Sequence, residues 1–256
     1  MESLLAGYTE IWVPSPVVPL VRFADRVDSI VCTGLDGLGL PDREPAPALI
    51  ERLSGFDSIV SWYGAARQEF RSAVEALRLP FHFFPALPHA TGSTHAVDYF
   101  LAQARGIGGK PVPAVPAIKC ASERREFAVI HPFSGSTRKN WPLTRFQHLA
   151  GTLSARLPVA WCAGPEEVLE GAVRFEDLRE LACWLAAARL NVGNDSGITH
   201  LAAAVGTPVV ALFGASDPRV WAPRGERVRV VAGEGMERIR LEQVIEAISE
   251  IQPMPA

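Results

Sequence analysis

Short apolar runs alternate with amphipathic stretches along this chain, and this alternation constrains the fold more than any other feature of the sequence. The runs at residues 127–130, 190–193 and 209–213 have the length and apolar character of buried strands. The stretches at 143–157 and 177–188 repeat their apolar residues at helical spacing. Strands separated by helices in this way form parallel sheets that are covered by helices. The sequence therefore predicts an α/β fold built from parallel sheets.

The same periodicity places the individual elements. Residues 34–39, GLDGLG, have the wrong glycine order for a dinucleotide fingerprint, so we expect a flexible loop there. The glycines and three prolines of segment 106–117 favour an extended linker, which divides an N-terminal domain, 1–117, from a C-terminal domain, 118–256. The predicted strands are 11–13, 29–32, 58–62, 127–130, 159–162, 190–193, 209–213 and 228–231, and the clearest helices are 69–77, 96–105, 143–157, 177–188 and 241–251.

Composition and charge exclude several classes of function. The chain has 256 residues with 48% hydrophobic content, which is enough for a substantial core. A formal net charge of -3 and scattered basic residues argue against nucleic-acid binding. No apolar run reaches the roughly 18 to 20 residues that span a bilayer, which argues against an integral membrane protein. The four cysteines, Cys32, Cys120, Cys162 and Cys183, lie far apart without CxxC spacing and are predicted to be reduced packing residues in a cytoplasmic protein.

A small hydroxyl-rich turn follows the predicted strand at 127–130. Ser134, Gly135 and Ser136 can hydrogen-bond an anion through hydroxyl and backbone groups, and Lys139 supplies a cation beside them. The same residues also have a structural interpretation, in which they form a turn with a helix cap and a solvated surface lysine. Only a second, converging feature can favour the binding interpretation.

That second feature is the start of a helix after the run that ends at Gly193. Helical spacing of the apolar residues predicts a helix that opens at Ser196 and Gly197, with a cap at Asn194 or Asp195. Free backbone N–H groups and the positive end of the helix dipole make such a start an anion site. Asp195 could be the cap, a contact to a sugar, or both.

Three further polar residues lie close to these turns in the sequence. His200 comes one helical turn after Ser196, so it could reach a phosphate or a sugar hydroxyl, or be a satisfied core residue. Glu166 and Glu167 follow a predicted strand and so lie at the carboxyl edge of the sheet, where open α/β folds bind ligands. One of them could hold a ribose hydroxyl, or both could be ordinary carboxylates in the first turn of a helix.

Several segments of the chain resemble a known family. HPFSGS at 131–136, KNWP at 139–142, GPEE at 164–167, NDSG at 194–197 and ALFGASDP at 211–218 resemble, in this order, the C-terminal half of family 9 glycosyltransferases. This family includes the lipopolysaccharide heptosyltransferases. The resemblance is best across residues 127–224 and weaker before them.

The resemblance implies a fold, a donor and an acceptor. The fold would be the GT-B arrangement, in which two Rossmann-like parallel-sheet domains face a cleft, here with a reduced N-terminal domain. A nucleotide-sugar donor, such as ADP-heptose, would bind at the two turns, and lipopolysaccharide or another glycan would accept the sugar. Transfer would be inverting, without metal or other cofactor, since no Asp-x-Asp and no histidine pair at metal-ligand spacing occurs. The protein would be cytoplasmic, with peripheral contact at the inner membrane.

The N-terminal half departs from the family pattern. Members open with a strand and a glycine-and-aspartate loop, whose aspartate is thought to deprotonate the acceptor hydroxyl. Here Met1 is soon followed by AGYTEIWVPSP, which resembles the second unit of the family, so we expect that opening to be missing. Asp36, Asp57 and Asp98 are the candidates for a base, and each has an ordinary structural role as the alternative. A non-catalytic relative that binds a sugar nucleotide is the second functional hypothesis.

Overall fold

The structure is a computed structural model, and it describes residues 7–88 and 92–251. The chain forms two compact units. The first contains the residues up to Gly92 together with Asp98–Val112, and the second contains Ser93–Val97 together with the residues from Pro113 onward. Residues 109–127, which include most of the predicted linker, contain no helix or strand.

The first unit contains two separate parallel sheets of two strands each. Strand β1 pairs with β2, and β3 pairs with β4. Short 3-10 helices at Ser15–Leu20 and Leu35–Gly37 connect these elements. The strands are β1 (Glu10–Val13), β2 (Arg26–Ser29), β3 (Ile59–Ser61) and β4 (Phe81–Phe83), and the helices are α1 (Ile30–Thr33), α2 (Pro47–Ser54), α3 (Gln68–Ala76) and α4 (Ala96–Gly106).

An aromatic and aliphatic cluster holds the first unit together. Phe70 of α3 is fully buried and makes edge-to-face contacts with Tyr63, Phe81 and Phe83. Such pairs contribute about 0.5–1.5 kcal/mol each beyond the burial of their area. Arg52 of α2 ties this helix to the first sheet, because its guanidinium binds carboxylates on both β1 and β2.

The second unit is a five-stranded parallel sheet in the order β6-β5-β7-β8-β9. The strands β5, β7 and β8 are buried along their whole length, which is expected when helices cover both faces of a parallel sheet. The strands are β5 (Ala128–His131), β6 (Val159–Trp161), β7 (Leu190–Asn194), β8 (Val209–Phe213) and β9 (Val228–Ala232), and the helices are α5 (Leu143–Ser154), α6 (Leu178–Ala187), α7 (Gly197–Ala204), α8 (Pro218–Trp221) and α9 (Leu241–Ile251).

Large buried side chains fix one face of this sheet. Trp141 is 1% exposed, packs edge-to-face on Phe146 at 4.9 Å between ring centroids, and donates from its indole nitrogen to the Ile239 carbonyl at 2.9 Å. Helices α5 and α9 pack together on this face, with Leu149 and Ile248 in the same core. The turn that precedes α5 is thereby anchored to the body of the sheet.

The predicted α/β fold with parallel sheets is confirmed, and most predicted elements lie within a few residues of the observed ones. Three predictions are wrong. Residues 30–32 of the predicted strand 29–32 lie in helix α1, because the Ser29 side chain accepts from the Cys32 N–H and caps that helix. Residues 34–39 are not a flexible loop but contain a 3-10 helix beside Leu38, which is 1% exposed. Cys32 is exposed instead of packed. Sequence periodicity also missed α2 and β4, which are eight and three residues long.

Among residues 7–88 and 92–251, none of the helices has the length and the apolar character to cross a bilayer.

One buried polar side chain in the central strand makes no hydrogen bond. Asn191 of β7 is fully buried, and neither its amide nitrogen nor its carbonyl oxygen has a partner among the described residues. Asn194, on the same strand, is equally buried, but it donates to the Pro132 carbonyl at 2.8 Å and accepts from the Trp141 N–H at 3.0 Å.

The contrast predicts opposite effects for the same substitution. Asn191→Val should raise the free energy of unfolding by about 1 kcal/mol, because an unsatisfied buried polar group is removed and valine suits a strand. Asn194→Val should lower it by about 1–3 kcal/mol, because two buried partners lose their bonds. Urea denaturation of both variants measures this difference. Equal destabilisation by the two substitutions would contradict it.

Candidate functional site

The loops after β5 and β7 meet at the carboxyl edge of the five-stranded sheet. These strands are neighbours, and His131 at the end of β5 is in register with Gly193 near the end of β7. Asn194 then bridges to the first loop through Pro132 and Trp141. The two turns that the sequence singled out therefore form one structure, at the edge where parallel sheets bind ligands.

A buried carboxylate lies at the centre of this structure. The Asp195 side chain is 8% exposed, and its Oδ2 accepts from the Lys139 ammonium at 2.6 Å and from the Ser216 hydroxyl at 2.5 Å. His200 Nε2 lies 3.6 Å from the other oxygen. Ser216 comes from the loop after β8, and sequence reasoning missed it. The available signal was its place in ALFGASDP, directly after a buried strand that neighbours β7.

These contacts keep Asp195 ionised. Burial alone would raise the pKa of Asp195, but the hydrogen bonds from His200, Lys139 and Ser216 outweigh it and lower the pKa to about 2. Lys139 is therefore not a freely solvated surface charge, although 37% of its side chain is exposed. An ammonium group has three N–H donors, so the bond to Asp195 leaves donors for a ligand.

Helix α7 begins directly beside this ion pair. Its N-cap is Ser196, whose hydroxyl accepts from the Thr199 N–H at 3.4 Å, so the predicted cap at Asn194 or Asp195 is wrong. The side chains of those two residues are occupied by Trp141, Pro132 and Lys139 instead. By helix geometry, the N–H groups of the first turn at Gly197 and beyond have no partner within the helix. The Thr199 N–H is taken by the Ser196 hydroxyl, whereas Gly197 at the start of the helix is exposed.

Glycine at the end of β7 lets the helix begin this close to the sheet. A Cβ atom at Gly193 would lie 2.6 Å from the Thr199 hydroxyl oxygen and 3.2 Å from the His131 carbonyl oxygen. That hydroxyl donates to the Asn194 carbonyl at 2.6 Å and locks the turn. A larger residue would push α7 away from β5.

The first turn is held by its own hydroxyl group. Ser134 Oγ lies 2.7 Å from the Asn140 side-chain oxygen, 2.8 Å from the Ser136 carbonyl oxygen and 3.4 Å from the Ser136 N–H. Residues Thr137–Lys139 form a 3-10 helix that points Lys139 at Asp195. The Ser134 side chain thus shapes the turn, whereas Gly135 is exposed and a Cβ there would meet nothing within 4 Å.

The two adjacent glutamates have different environments. Glu167 Oε2 accepts from the Gly164 N–H at 2.6 Å and lies 3.1 Å from His131 Nε2, while Glu166 is exposed. Neither lies in the first turn of a helix, because residues 164–172 form turns and coil. The structural alternative offered for both residues is therefore wrong.

His131 is the most informative residue that sequence reasoning missed. Its imidazole is 3% exposed and contacts Glu167 through Nε2 and the Ser196 hydroxyl through Nδ1, at 3.1 and 3.3 Å. Burial lowers the pKa of His131 more than the neighbouring Glu167 carboxylate raises it. The signals in the sequence were its position directly after the buried run 127–130 and its place as the first residue of the HPFSGS segment.

The candidate bases lie in the first unit. Asp36 belongs to the 3-10 helix Leu35–Gly37, Asp57 is exposed just before β3, and Asp98 lies in the first turn of α4.

Among the second unit's thiols, burial raises the pKa of Cys162 to about 12, so that thiol is not a nucleophile at neutral pH. Within the described ranges, no three His, Cys, Asp or Glu side chains are grouped as metal ligands.

The ion pair at Asp195 predicts a pH-dependent loss of stability. The carboxyl pKa is depressed from 3.8 to about 2 on folding, so its contribution is present above pH 3.8 and is lost as the pH falls towards 2. Asp195→Asn should therefore lower the free energy of unfolding by about 2 kcal/mol near neutral pH. In urea denaturation as a function of pH, the difference in free energy of unfolding between the variant and the parent should disappear between about pH 4 and pH 2. A gap that stays constant over this range would contradict the assignment.

Comparison with known proteins identifies the family. The model of glycosyltransferase family 9 (heptosyltransferase) matches residues 104–245. The chain is 31% identical over 119 residues to lipopolysaccharide heptosyltransferase 3 of Escherichia coli, a match that covers 39% of this chain and 34% of that protein. It is 38% identical over 72 residues to lipopolysaccharide heptosyltransferase 2 of Salmonella typhimurium, a match that covers 28% of this chain and 19% of that protein. The chain spans less than half of the length of the curated relatives it matches.

Solved structures share the fold. A family 9 glycosyl transferase from Veillonella parvula superposes with a TM-score of 0.74 at 16% identity, over 95% of this chain and 88% of that one. The structure of E. coli heptosyltransferase WaaC with ADP superposes with a TM-score of 0.70 at 17% identity, over 97% of this chain and 95% of that one. Because the family model covers more than half of the 256 residues, the protein belongs to glycosyltransferase family 9.

Proposed function

We propose that this protein is a glycosyltransferase that moves a heptose or a related sugar from an ADP-sugar to a lipopolysaccharide-type glycan. Family membership and the heptosyltransferase relatives support the reaction class. The single observation that carries the donor assignment is the Lys139–Asp195 pair at the start of α7. It joins a cation to a helix N-terminus at the ligand-binding edge of a parallel sheet.

The donor diphosphate lies against the first turn of α7 in this proposal. The backbone N–H groups at Gly197 and the helix dipole bind its oxygens, and the remaining donors of Lys139 offset its charge. Gly135 and Ser136 approach from the first turn. When the sugar leaves, negative charge grows on the diphosphate, and these fixed donors stabilise it without reorganisation. The same groups thus serve binding and leaving-group departure.

The remaining polar residues have narrower roles. Glu166 is exposed at the sheet edge and is proposed to hold a ribose hydroxyl, since Glu167 is already engaged by Gly164 and His131. Asp195 and His200 lie 3.6 Å apart, and we propose that both contact the transferred sugar. We propose inverting transfer without metal, in which Lys139 and α7 replace the charge of a divalent cation. The base that takes the acceptor proton is unassigned.

Loss of the lysine should weaken nucleotide binding. We expect Lys139→Ala to reduce ADP affinity about ten-fold or more, because a charge-assisted hydrogen bond contributes about 1.5–3 kcal/mol. Arg138→Ala is the matched control, since Arg138 is an exposed neighbouring cation and its loss should change affinity little. Titration calorimetry measures both. No ADP binding by the parent, or equal losses in the two variants, would refute the assignment of the diphosphate site.

Transfer itself needs a direct assay that separates an enzyme from a binding relative. The full chain is incubated with ADP-heptose and a heptose-deficient, deacylated lipopolysaccharide core, and sugar-extended product is followed by mass spectrometry. Product formation that persists in EDTA supports a metal-independent transferase. Loss of ADP binding by ten-fold or more in EDTA would overturn the metal-free proposal. Donor binding with no product would favour the non-catalytic alternative.

A further inference from the structure

A carboxylate–imidazole–hydroxyl series of hydrogen-bonded side chains, with a buried imidazole at its centre, runs beneath the start of α7. It joins Glu167 to His131 and His131 to Ser196, with oxygen-to-nitrogen distances of 3.1 and 3.3 Å. Its three members come from the loop after β6, the end of β5 and the cap of α7. This hydrogen-bonded series therefore connects a loop, a strand end and a helix cap at the edge that the proposed donor occupies.

The hydrogen atoms in this chain can be assigned by elimination. An ionised Glu167 only accepts, and its Oε2 also takes the Gly164 N–H, so His131 Nε2 must carry a hydrogen. Burial keeps the pKa of His131 below its ordinary value, so the ring is neutral near pH 7 and Nδ1 is a bare acceptor. The Ser196 hydroxyl then has two inward acceptors, His131 Nδ1 at 3.3 Å and the Thr199 hydroxyl oxygen at 3.2 Å, and donation to Nδ1 is the arrangement that satisfies the buried ring nitrogen.

This assignment leaves Ser196 badly oriented for an anion. With its only hydrogen turned inward, the hydroxyl presents lone pairs towards the first turn of α7. A diphosphate oxygen there is also an acceptor, so the two oxygens repel each other. The neighbouring Thr199 hydroxyl cannot compensate, since its hydrogen is given to the Asn194 carbonyl.

We propose that His131 is a proton-linked positioning residue: it takes up a proton when a diphosphate binds at the start of α7, and the Ser196 hydroxyl then turns its hydrogen from His131 to the phosphate. The protonated ring donates from Nδ1 to the Ser196 oxygen and from Nε2 to Glu167. Every hydrogen on the ring and on Ser196 then meets an oxygen. This inference rests on the proposed donor site.

The surroundings of His131 favour this exchange. Glu167 supplies the adjacent negative charge, and the Phe133 ring packs edge-to-face with the imidazole at 6.4 Å between ring centroids. The Arg174 guanidinium donates to the backbone carbonyls of Glu167, Leu169 and Ala172, at 2.7, 3.0 and 3.1 Å. Beyond Ser196, Lys139 and His200 surround the Asp195 carboxylate. Arrival of a diphosphate adds negative charge on the Ser196 side and so stabilises an imidazolium between two acceptors.

Binding should then depend on pH with a definite sign. Since the bound state holds His131 protonated, affinity rises as the pH falls through the pKa of His131 in the complex. It levels off below the pKa of His131 in the free protein, where both states carry the proton. A histidine that only packs would change affinity by the same factor at every pH.

The test is titration calorimetry with ADP-glucose in buffers of different ionisation enthalpy. Both of its phosphates are esterified on either side, so the ligand lacks the second phosphate pKa of about 6 that ADP carries. His200→Gln serves as the background, because His200 is a second histidine beside the proposed ligand site. In that background we expect uptake of up to about one proton per site at a pH between the pKa of His131 in the free protein and its pKa in the complex.

Two substitutions separate the proposal from a structural role. His131→Asn keeps an acceptor near the Nδ1 position but cannot take a proton, so uptake should vanish and the pH dependence should flatten. Glu167→Gln keeps the shape and the Gly164 contact, and uptake should shrink because the imidazolium loses its counter-charge. Undiminished uptake in both variants, or equal affinity losses at all pH values, would overturn the proposal. Absence of binding by the unsubstituted protein would instead refute the donor site and this inference with it.

Discussion

The pairing of β5 with β7 is the constraint on which the rest of the site depends. Their parallel register brings the ends of two strands together although about sixty residues of chain separate them. Asn194 then fastens the loop after β5 to the end of β7 through Pro132 and Trp141. Trp141 is itself locked into the core beside Phe146. Loop residues at the edge are therefore positioned by the buried sheet and not by their own conformational preferences.

This arrangement gives the site a mixed electrostatic character. The buried Asp195 carboxylate is stabilised as an anion by Lys139, Ser216 and His200, whose contacts lower its pKa against the effect of burial. An incoming diphosphate therefore meets a cation that is already oriented, and little side-chain entropy remains to be lost on binding. Lys139 acts in the proposed reaction as part of a network, so substitutions at Lys139 and Asp195 are expected to be non-additive. The Glu167–His131–Ser196 chain supports the same helix start from below.

Sequence patterns predicted the strands and helices of the second unit well, because buried parallel strands and amphipathic helices have distinct periodicities. They failed at Ser29, where a side-chain cap places an apolar run in helix α1, and they did not reveal α2 and β4. The two turns were recognised as ligand-binding candidates from local chemistry. The sequence could not distinguish the role of Glu166 from that of Glu167. The two residues are adjacent and identical in type, and they differ only in that Glu166 faces solvent whereas Glu167 contacts His131.

The sequence by itself determined the α/β class, the resemblance to family 9 and the two candidate anion-binding turns, because each of these depends on local spacing and residue type. Only the tertiary structure decided that Lys139 pairs with Asp195, that Ser216 joins them, and that His131 lies between Glu167 and Ser196. These contacts join residues from 21 to 65 positions apart. Such partners are selected by strand order and register, which bring distant loops to one edge of the sheet, and no local pattern in the chain specifies them.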